Sequence, residues 1–126
     1  MARNPKLKVS CEARARAIRD WSTFQIAIPD QVLRKVEFID LDGVQIDLLH
    51  VGGKHAKDSI IVKVPHARVM FIGDCYYPPP IHLRGPGEAP STTLLKTILD
   101  NTYDIYVEGH DYPVSRREYL EFLNQI

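Results

Sequence analysis

The sequence has no excess of either charge. Its 126 residues include 16 lysines and arginines and 16 aspartates and glutamates, which gives a formal net charge of zero. A chain without a net positive field has little electrostatic attraction for a polyanion. The one local excess of basic residues lies between Met1 and Arg19, and we interpret it as a solvated helix face. We therefore predict no nucleic-acid partner.

Cysteine is also scarce in the sequence. Cys11 and Cys75 are the two cysteines present, and they are too few and too far apart to form a disulfide framework. Free thiols are typical of proteins in a reducing compartment. We therefore predict a cytoplasmic protein.

Long apolar runs are absent as well. No run approaches the roughly 20 residues that a helix needs to cross a bilayer. The basic N-terminal segment has no apolar core behind it, so a signal peptide is not predicted. The composition is that of an ordinary globular protein, with 44% hydrophobic and 25% charged residues. We predict one domain, residues 1–126, without a membrane partner.

The stretch from Gly53 to Cys75 has the clearest organisation in the chain. A loop that carries His55 is followed by β-branched and apolar runs, which predict strands over residues 59–64 and 68–72. A turn with proline at residues 65–67 separates these strands, and Asp74 follows the second strand. The predicted hairpin therefore holds His55 and Asp74 near its two ends.

The remaining sequence predicts further strands and helices. Strand patterns cover residues 6–10, 35–40, 44–50 and 103–108, with Asp42-Gly43 as a hairpin turn. Caps and apolar stripes predict helices at 11–21, 91–100 and 115–125, and a turn of helix at 30–34. In strand 44–50, Val44, Ile46 and Leu48 form an apolar set that predicts a buried face. This order predicts an α/β fold, a mixed sheet with helices on one face.

His55, Asp74 and His110 are the candidate site residues. Each lies at the end of a predicted strand, in a loop with a glycine nearby. Singly, each has an ordinary interpretation, because loop histidines are often solvated and Gly-Asp is common in turns. Together they predict a metal site at one edge of the sheet. Imidazole and carboxylate are usual ligands for zinc, manganese or iron.

Three segments resemble the last three motifs of the metallo-β-lactamase-fold hydrolase superfamily. They are residues 53–59 (GKHAKDS), residues 69–74 (VMFIGD) and the pair Gly109-His110. The resemblance covers roughly residues 35–126. It implies half of an αββα sandwich, in which His55 serves one metal, His110 serves the other, and Asp74 bridges them.

The sequence departs from that superfamily in one respect. The family's His-x-His-x-Asp-His cluster is absent, and the other histidines, His50, His66 and His82, are not closely paired. Each metal would keep two protein ligands, where a catalytic zinc ordinarily has three and a water. We therefore expect zinc, manganese or iron to be held weakly or not at all. A metal-dependent hydrolase domain of this kind would be weakly active or inactive alone.

Several neighbouring residues have roles that depend on the resemblance. Asp58 is expected to brace the His55 loop, with a role as a further oxygen ligand as the alternative. The resemblance implies that Tyr76, Tyr77 and His82 could face the substrate cleft, with His82 as the best spare ligand, but an ordinary surface loop is the interpretation we favour. Their segment, residues 76–90, is rich in proline and forms neither a helix nor an inner strand.

Half of a sandwich would leave one sheet face uncovered. A bare apolar face of that size promotes association, so we expect a homodimer through this face or pairing with a separate N-terminal half. The rival hypotheses are a non-catalytic dimerisation or binding module, one half of a split hydrolase, and a fragment of a longer protein. The sequence does not define a substrate.

Overall fold

The structure is a computed structural model that describes residue 27 and residues 29–125. The chain divides into two units, residues 1–32 and 33–126. The strand predicted at 6–10 and the helix predicted at 11–21 lie outside the described residues. The description that follows concerns the second unit.

Six strands form one mixed sheet within the described residues. They are β1 (Val36–Leu41), β2 (Val44–His50), β3 (Ile60–Val64), β4 (Val69–Gly73), β5 (Ile105–Glu108) and β6 (Val114–Ser115). Their order in the sheet follows the chain. The β4–β5 pair is parallel, whereas each of the other neighbouring pairs is antiparallel. The predicted mixed sheet is therefore confirmed.

The hairpin of β1 and β2 turns at Asp42-Gly43, as predicted. Asp42 has a φ of 52° and Gly43 a φ of 91°, and two positive φ values are what a two-residue type I′ turn requires. The Gly43 amide donates a hydrogen bond of 2.7 Å to Asp40 Oδ1. This turn fixes the register of the two strands.

Within the described residues, two α-helices cover one face of the sheet: α1 (Thr92–Ile98) and α2 (Arg116–Gln125). No helix in the described residues is long and apolar enough to span a membrane. The helices bury side chains against alternate residues of β3, β4 and β5, because only every second strand residue points to the same face. The central members of this core are Ile61, Met70, Ile72, Leu95, Ile98, Tyr106, Tyr119 and Leu123.

Both helices begin at the predicted caps. Ser91 Oγ accepts a hydrogen bond from the Leu94 amide at the start of α1. At α2, the amide and hydroxyl of Ser115 donate to Glu118 Oε2 at 2.7 and 2.6 Å, and the Glu118 amide donates back to Ser115 Oγ. These reciprocal bonds form a capping box.

Some predicted elements differ from the structure. Residues 30, 31 and 34 form bends and residues 32–33 have no regular structure, in place of the predicted turn of helix. Val32 is 79% exposed, and a single helical turn without packing is unstable in water. The strand predicted at 103–108 begins at Ile105, and β6 was not predicted, because two residues carry no periodic signal.

The buried face of β2 is opposite to the one predicted. Leu49 is paired with the fully buried Ile61 and packs against the core, so Val44, Ile46 and Leu48 point to the other face. That other face is apolar and uncovered by the two helices. We call it the bare face, and its central row, one residue per strand, consists of Leu48, Val62, Phe71 and Val107.

Candidate metal centre

The topology brings the three predicted site residues to one edge of the sheet. The β3 and β4 strands are antiparallel, so the loop before β3, which holds His55, lies beside the end of β4. The parallel pairing of β4 and β5, with Gly73 opposite Glu108, places the residues after both strands side by side. Asp74 and His110 are those residues.

Asp74 lies between the two histidines. Its Oδ2 is 3.1 Å from His110 Nε2 and 3.5 Å from His55 Nε2. Two ligand atoms of a tetrahedral zinc are about 3.4 Å apart when each bond is near 2.1 Å. The distance from each histidine nitrogen to Asp74 Oδ2 is therefore close to the distance between two ligands of one metal ion.

His55 is held with its Nε2 atom towards Asp74. The His55 Nδ1 atom is 2.9 Å from the carbonyl oxygen of Pro78, and a carbonyl can only accept, so Nδ1 carries the proton. In the neutral ring, Nε2 is then an unprotonated acceptor that faces the Asp74 carboxylate. Two unprotonated acceptors that face each other at this distance suit a cation between them.

The second oxygen of Asp74 is buried without compensation. Asp74 Oδ1 has no hydrogen-bond partner among the described residues, which is unfavourable for a carboxylate oxygen. The carboxylate also lies directly against Gly109, where a Cβ atom would overlap Oδ1 and stand 3.0 Å from Cγ. The absence of a side chain at Gly109 therefore makes room for the Asp74 carboxylate.

The donor set is incomplete for a metal ion. Among the described residues, no three histidine, cysteine, aspartate or glutamate side chains are grouped so that they could hold one metal ion. The close contacts are two pairs that share Asp74. These residues therefore fit part of a metal site, and further ligands are needed to complete it.

The loop that carries His55 is held by backbone contacts. The amides of Val51 and Gly52 both donate to the Ser59 carbonyl at 3.0 Å. Gly53 has a φ of +140°, and a Cβ there would lie 2.5 Å from the Cys75 carbonyl oxygen, so this position requires glycine. The loop is thereby packed against the turn that follows Asp74.

Among the described residues, Asp58 makes no bracing contact of the kind that was expected. It is exposed, and the structure does not bring it to Asp74. Within the described part of the chain, the side-chain bonds of this loop come from Ser59 Oγ to the Ala56 carbonyl and from the His50 ring to the Lys57 carbonyl, both at 2.9 Å.

A carboxylate that the sequence analysis missed lies behind the site. Glu108, the last residue of β5, accepts hydrogen bonds of 2.6 Å from the hydroxyls of both Tyr76 and Tyr77. The two tyrosine rings are stacked with centroids 4.6 Å apart. We call this group the Glu108 clamp. Burial, together with the bond to Glu108, raises the pKa of Tyr76 and of Tyr77, so both remain donors at neutral pH.

Cys75 is unsuited to be a ligand. It is 2% exposed, and burial raises the pKa of its thiol to about 11. A metal ligand must be the thiolate, which is scarce at neutral pH for such a group. Cys75 is thus a buried free thiol.

A cavity of about 350 Å³ opens in front of the site. Its lining includes the three site residues and the start of the proline-rich loop: His55, Asp74, Tyr77, Pro78, Pro80, Ile81, Arg84 and His110. Of the tyrosines expected at the cleft, Tyr77 lines it and Tyr76 is buried in the core. His82 and His66 are exposed, and neither is part of this lining.

The architecture identifies the class of fold. No sequence profile of a known protein family matches the chain. Solved structures of metallo-β-lactamase superfamily proteins, however, superpose on most of it. The described unit therefore has a metallo-β-lactamase-type fold, as the three motifs predicted.

Three solved structures illustrate the similarity. A superfamily protein from the archaeon Sulfolobus tokodaii has a TM-score of 0.55 and 20% identity, covering 95% of this chain and 50% of its own. A metallo-β-lactamase from Pontibacter korlensis has a TM-score of 0.53 and 15% identity, covering 94% and 54%. A sec-alkylsulfatase from Pseudomonas sp. has a TM-score of 0.54 and 17% identity, covering 74% and 16%.

A curated relative shares part of the sequence. The chain is 25% identical over 83 residues to the 2,4-dinitroanisole O-demethylase subunit alpha of Nocardioides sp. (strain JS1661), which is 64% of this chain and 25% of that protein. The chain thus spans about half or less of the length of these relatives. This partial coverage is consistent with the predicted half of the fold.

Proposed function

We propose that this chain is a metal-dependent hydrolase-type domain that carries one part of a metal centre, His55, Asp74 and His110. The proposal includes weak or no hydrolase activity for the chain alone, because the further ligands that a catalytic ion needs are absent from this group. Zinc is the metal we favour, with manganese or iron as alternatives. A bound metal would supply Lewis-acid polarisation and acidify a water.

The observation that carries the proposal is the face-to-face arrangement of His55 Nε2 and Asp74 Oδ2. The bond to the Pro78 carbonyl leaves Nε2 without a proton in the neutral ring, and the carboxylate stands 3.5 Å away. His110 Nε2 approaches the same oxygen. This arrangement supports a cation at the edge of the sheet more strongly than a purely structural network would.

Zinc affinity of the purified chain tests the proposal. We expect weak binding that falls at least tenfold in His55→Ala and in His110→Ala, and most in Asp74→Asn, because Asp74 contacts both histidines. Affinity is measured by competition with a coloured chelator, on protein freed of any polyhistidine tag, since such a tag binds zinc itself.

His66→Ala is the matched control for these variants. It removes an exposed imidazole from the turn between β3 and β4, and we expect it to leave zinc affinity unchanged. Equal affinities for the wild type, His66→Ala and the triple variant at residues 55, 74 and 110 would disprove the partial centre.

A second candidate function is assembly. The bare face supports a homodimer or pairing with a separate N-terminal half, and either would also suit a non-catalytic binding module or one half of a split hydrolase. Co-purification with a chain that carries the histidine cluster, with hydrolysis gained on mixing, is expected only for the split enzyme. A cytoplasmic location is supported by the buried free thiol of Cys75.

No substrate class is part of the proposal. The relatives are named as a β-lactamase, an alkylsulfatase and an O-demethylase subunit. These names differ in the bond acted upon, and a shared fold does not choose among them.

A further inference from the structure

We propose that Glu108 is a positioning residue that fixes the orientation and tautomer of His55 through Tyr77 and the Pro78 carbonyl. Glu108 touches neither histidine in this role and acts through the segment that follows Asp74. The effect of Glu108 on metal affinity rests on the proposed function. Its effect on the orientation and tautomer of the His55 ring does not.

The first link is the Glu108 clamp. Both carboxylate oxygens of Glu108 are occupied, one by each tyrosine hydroxyl, at 2.6 Å. Glu108 itself belongs to β5, which is paired with β4 and β6 in the sheet. Hydrogen bonds to a charged acceptor are about twice as strong as neutral ones. The clamp therefore ties a loop segment to a rigid strand.

The second link is the chain from Tyr77 to His55. Tyr77 directly precedes Pro78, and its amide donates a 2.9 Å bond to the Asp74 carbonyl. The Tyr77 ring also lies next to the His110 ring, with centroids 6.1 Å apart. Pro78 has a fixed φ, so a Tyr77 held at both its hydroxyl and its amide limits the positions that the Pro78 carbonyl can take.

The third link is the bond from His55 Nδ1 to that carbonyl. It fixes the proton on Nδ1 and directs Nε2 to Asp74. A partner that orients a metal-binding histidine in this way commonly changes metal affinity by 10- to 100-fold when it is lost. Glu108 would thus influence His55 without contacting His55, Asp74 or His110.

Nitrogen NMR of the metal-free protein tests this inference directly. The ¹⁵N shifts of the His55 ring report which nitrogen carries the proton. In spectra recorded at a pH where the His55 ring is neutral, we expect the wild type to show Nδ1 protonated, and we expect Tyr77→Phe and Glu108→Gln to lose this single signature and give a mixture of tautomers. Circular dichroism and thermal unfolding establish that each variant is folded.

A double-mutant cycle tests whether Tyr77 and Glu108 affect zinc affinity through the same contacts or independently. Tyr77→Phe should reduce zinc affinity by up to about tenfold in the wild type, the low end for groups that support a ligand, and have little further effect in the Glu108→Gln background. Tyr112→Phe, which removes the hydroxyl of a highly exposed loop tyrosine, is the control and should change neither the tautomer nor the affinity.

Two outcomes would overturn the inference. One is an unchanged His55 tautomer in folded Tyr77→Phe and Glu108→Gln; the other is additive losses of affinity in the cycle. If the wild type binds no zinc, the proposed function fails, yet the NMR result still decides whether Glu108 positions His55.

Discussion

Gly109 shows how much of the site depends on one missing side chain. The Asp74 carboxylate occupies the space that a Cβ atom would take at this position. Its Oδ1 atom is buried there without a hydrogen-bond partner in the described part of the chain. A substitution at Gly109 must therefore displace the carboxylate that both histidines contact.

We expect Gly109→Ala to lower zinc affinity at least tenfold and to reduce the free energy of unfolding by about 1–3 kcal/mol, because the added methyl overpacks a filled space. Zinc competition and urea unfolding measure the two effects. Gly85→Ala is the control, since its nearest neighbour would be Glu88 Oε1 at 3.7 Å. It should change stability by less than about 0.5 kcal/mol, and an equal effect of both variants would contradict the prediction.

At this scale the sequence predicted that three side chains would lie together better than it predicted the groups that support them. His55, Asp74 and His110 were predictable because each follows or precedes a strand, and the sheet edge gathers such positions. The Pro78 carbonyl and Glu108 were not, because a backbone oxygen leaves no residue signal and Glu108 lies 31 residues from its partner Tyr77. The three-dimensional path of the proline-rich segment is what brings Tyr77 to Glu108 and the Pro78 carbonyl to His55.

At the scale of elements, the parallel pair of β4 and β5 is supported at its start by Arg68 and Asp104. Arg68 has a φ of 55° and closes the short helical turn Pro65–Ala67. Its guanidinium donates to Asp104 Oδ2 at 2.5 Å and to Oδ1 at 2.8 Å. Its carbonyl accepts from the amides of Asp104 and Ile105. One residue thus joins the β3–β4 turn to the beginning of β5.

The Arg68–Asp104 ion pair predicts that the stability of the fold depends on pH. The hydrogen bond from Arg68 lowers the pKa of Asp104 below its ordinary value, so the folded state binds a proton less readily than the unfolded state does. The ion pair therefore stabilises the folded state above the unfolded pKa of Asp104, about 3.9. This stabilisation is lost as the pH falls through the lower pKa of the folded state. Both side chains are largely exposed, which keeps the effect small.

We expect the melting temperature of Asp104→Asn to be lower than that of the wild type at pH 6, with the difference shrinking towards pH 2. Thermal unfolding across this range measures the two curves. Glu88→Gln, an exposed carboxylate in the proline-rich loop, is the control and should follow the wild type. A constant difference at every pH would argue against the ion pair as its source.

The sequence predicted well the elements that depend on a few neighbouring residues. It predicted poorly the features that depend on packing between distant segments. Asp42-Gly43 and the Ser115–Glu118 box are contained within a few residues, so their chemistry is visible in the sequence. The face of β2 was predicted wrongly because both sides of that strand carry apolar residues. Alternation shows that two faces exist, but the packing of the helices decides which one joins the core.

At the scale of the whole unit, we propose that the bare face is the surface through which the chain associates. Phe71 is 44% exposed at its centre, and Val62 and Val107 flank it on the neighbouring strands. An apolar surface that extends across several strands favours burial against a partner. We expect the wild type to sediment as a dimer at micromolar concentration and Phe71→Lys to sediment as a monomer.

Tyr112→Lys provides the comparison for Phe71→Lys. It places the same charge at an aromatic residue that is 85% exposed on a loop, and we expect the dimer to persist. A monomeric wild type, or equal loss of the dimer in both variants, would refute association through the bare face.

The parallel pairing of β4 and β5 also determines when the candidate centre can exist. Asp74 and His110 are 36 residues apart, and the intervening chain must close a long loop before they meet. Hairpins such as β1–β2 need no such closure, and contacts distant in sequence are slow to form. A nascent or partly unfolded chain would therefore keep these two side chains apart, and its capacity to capture a metal between them would arise only once the sheet is assembled.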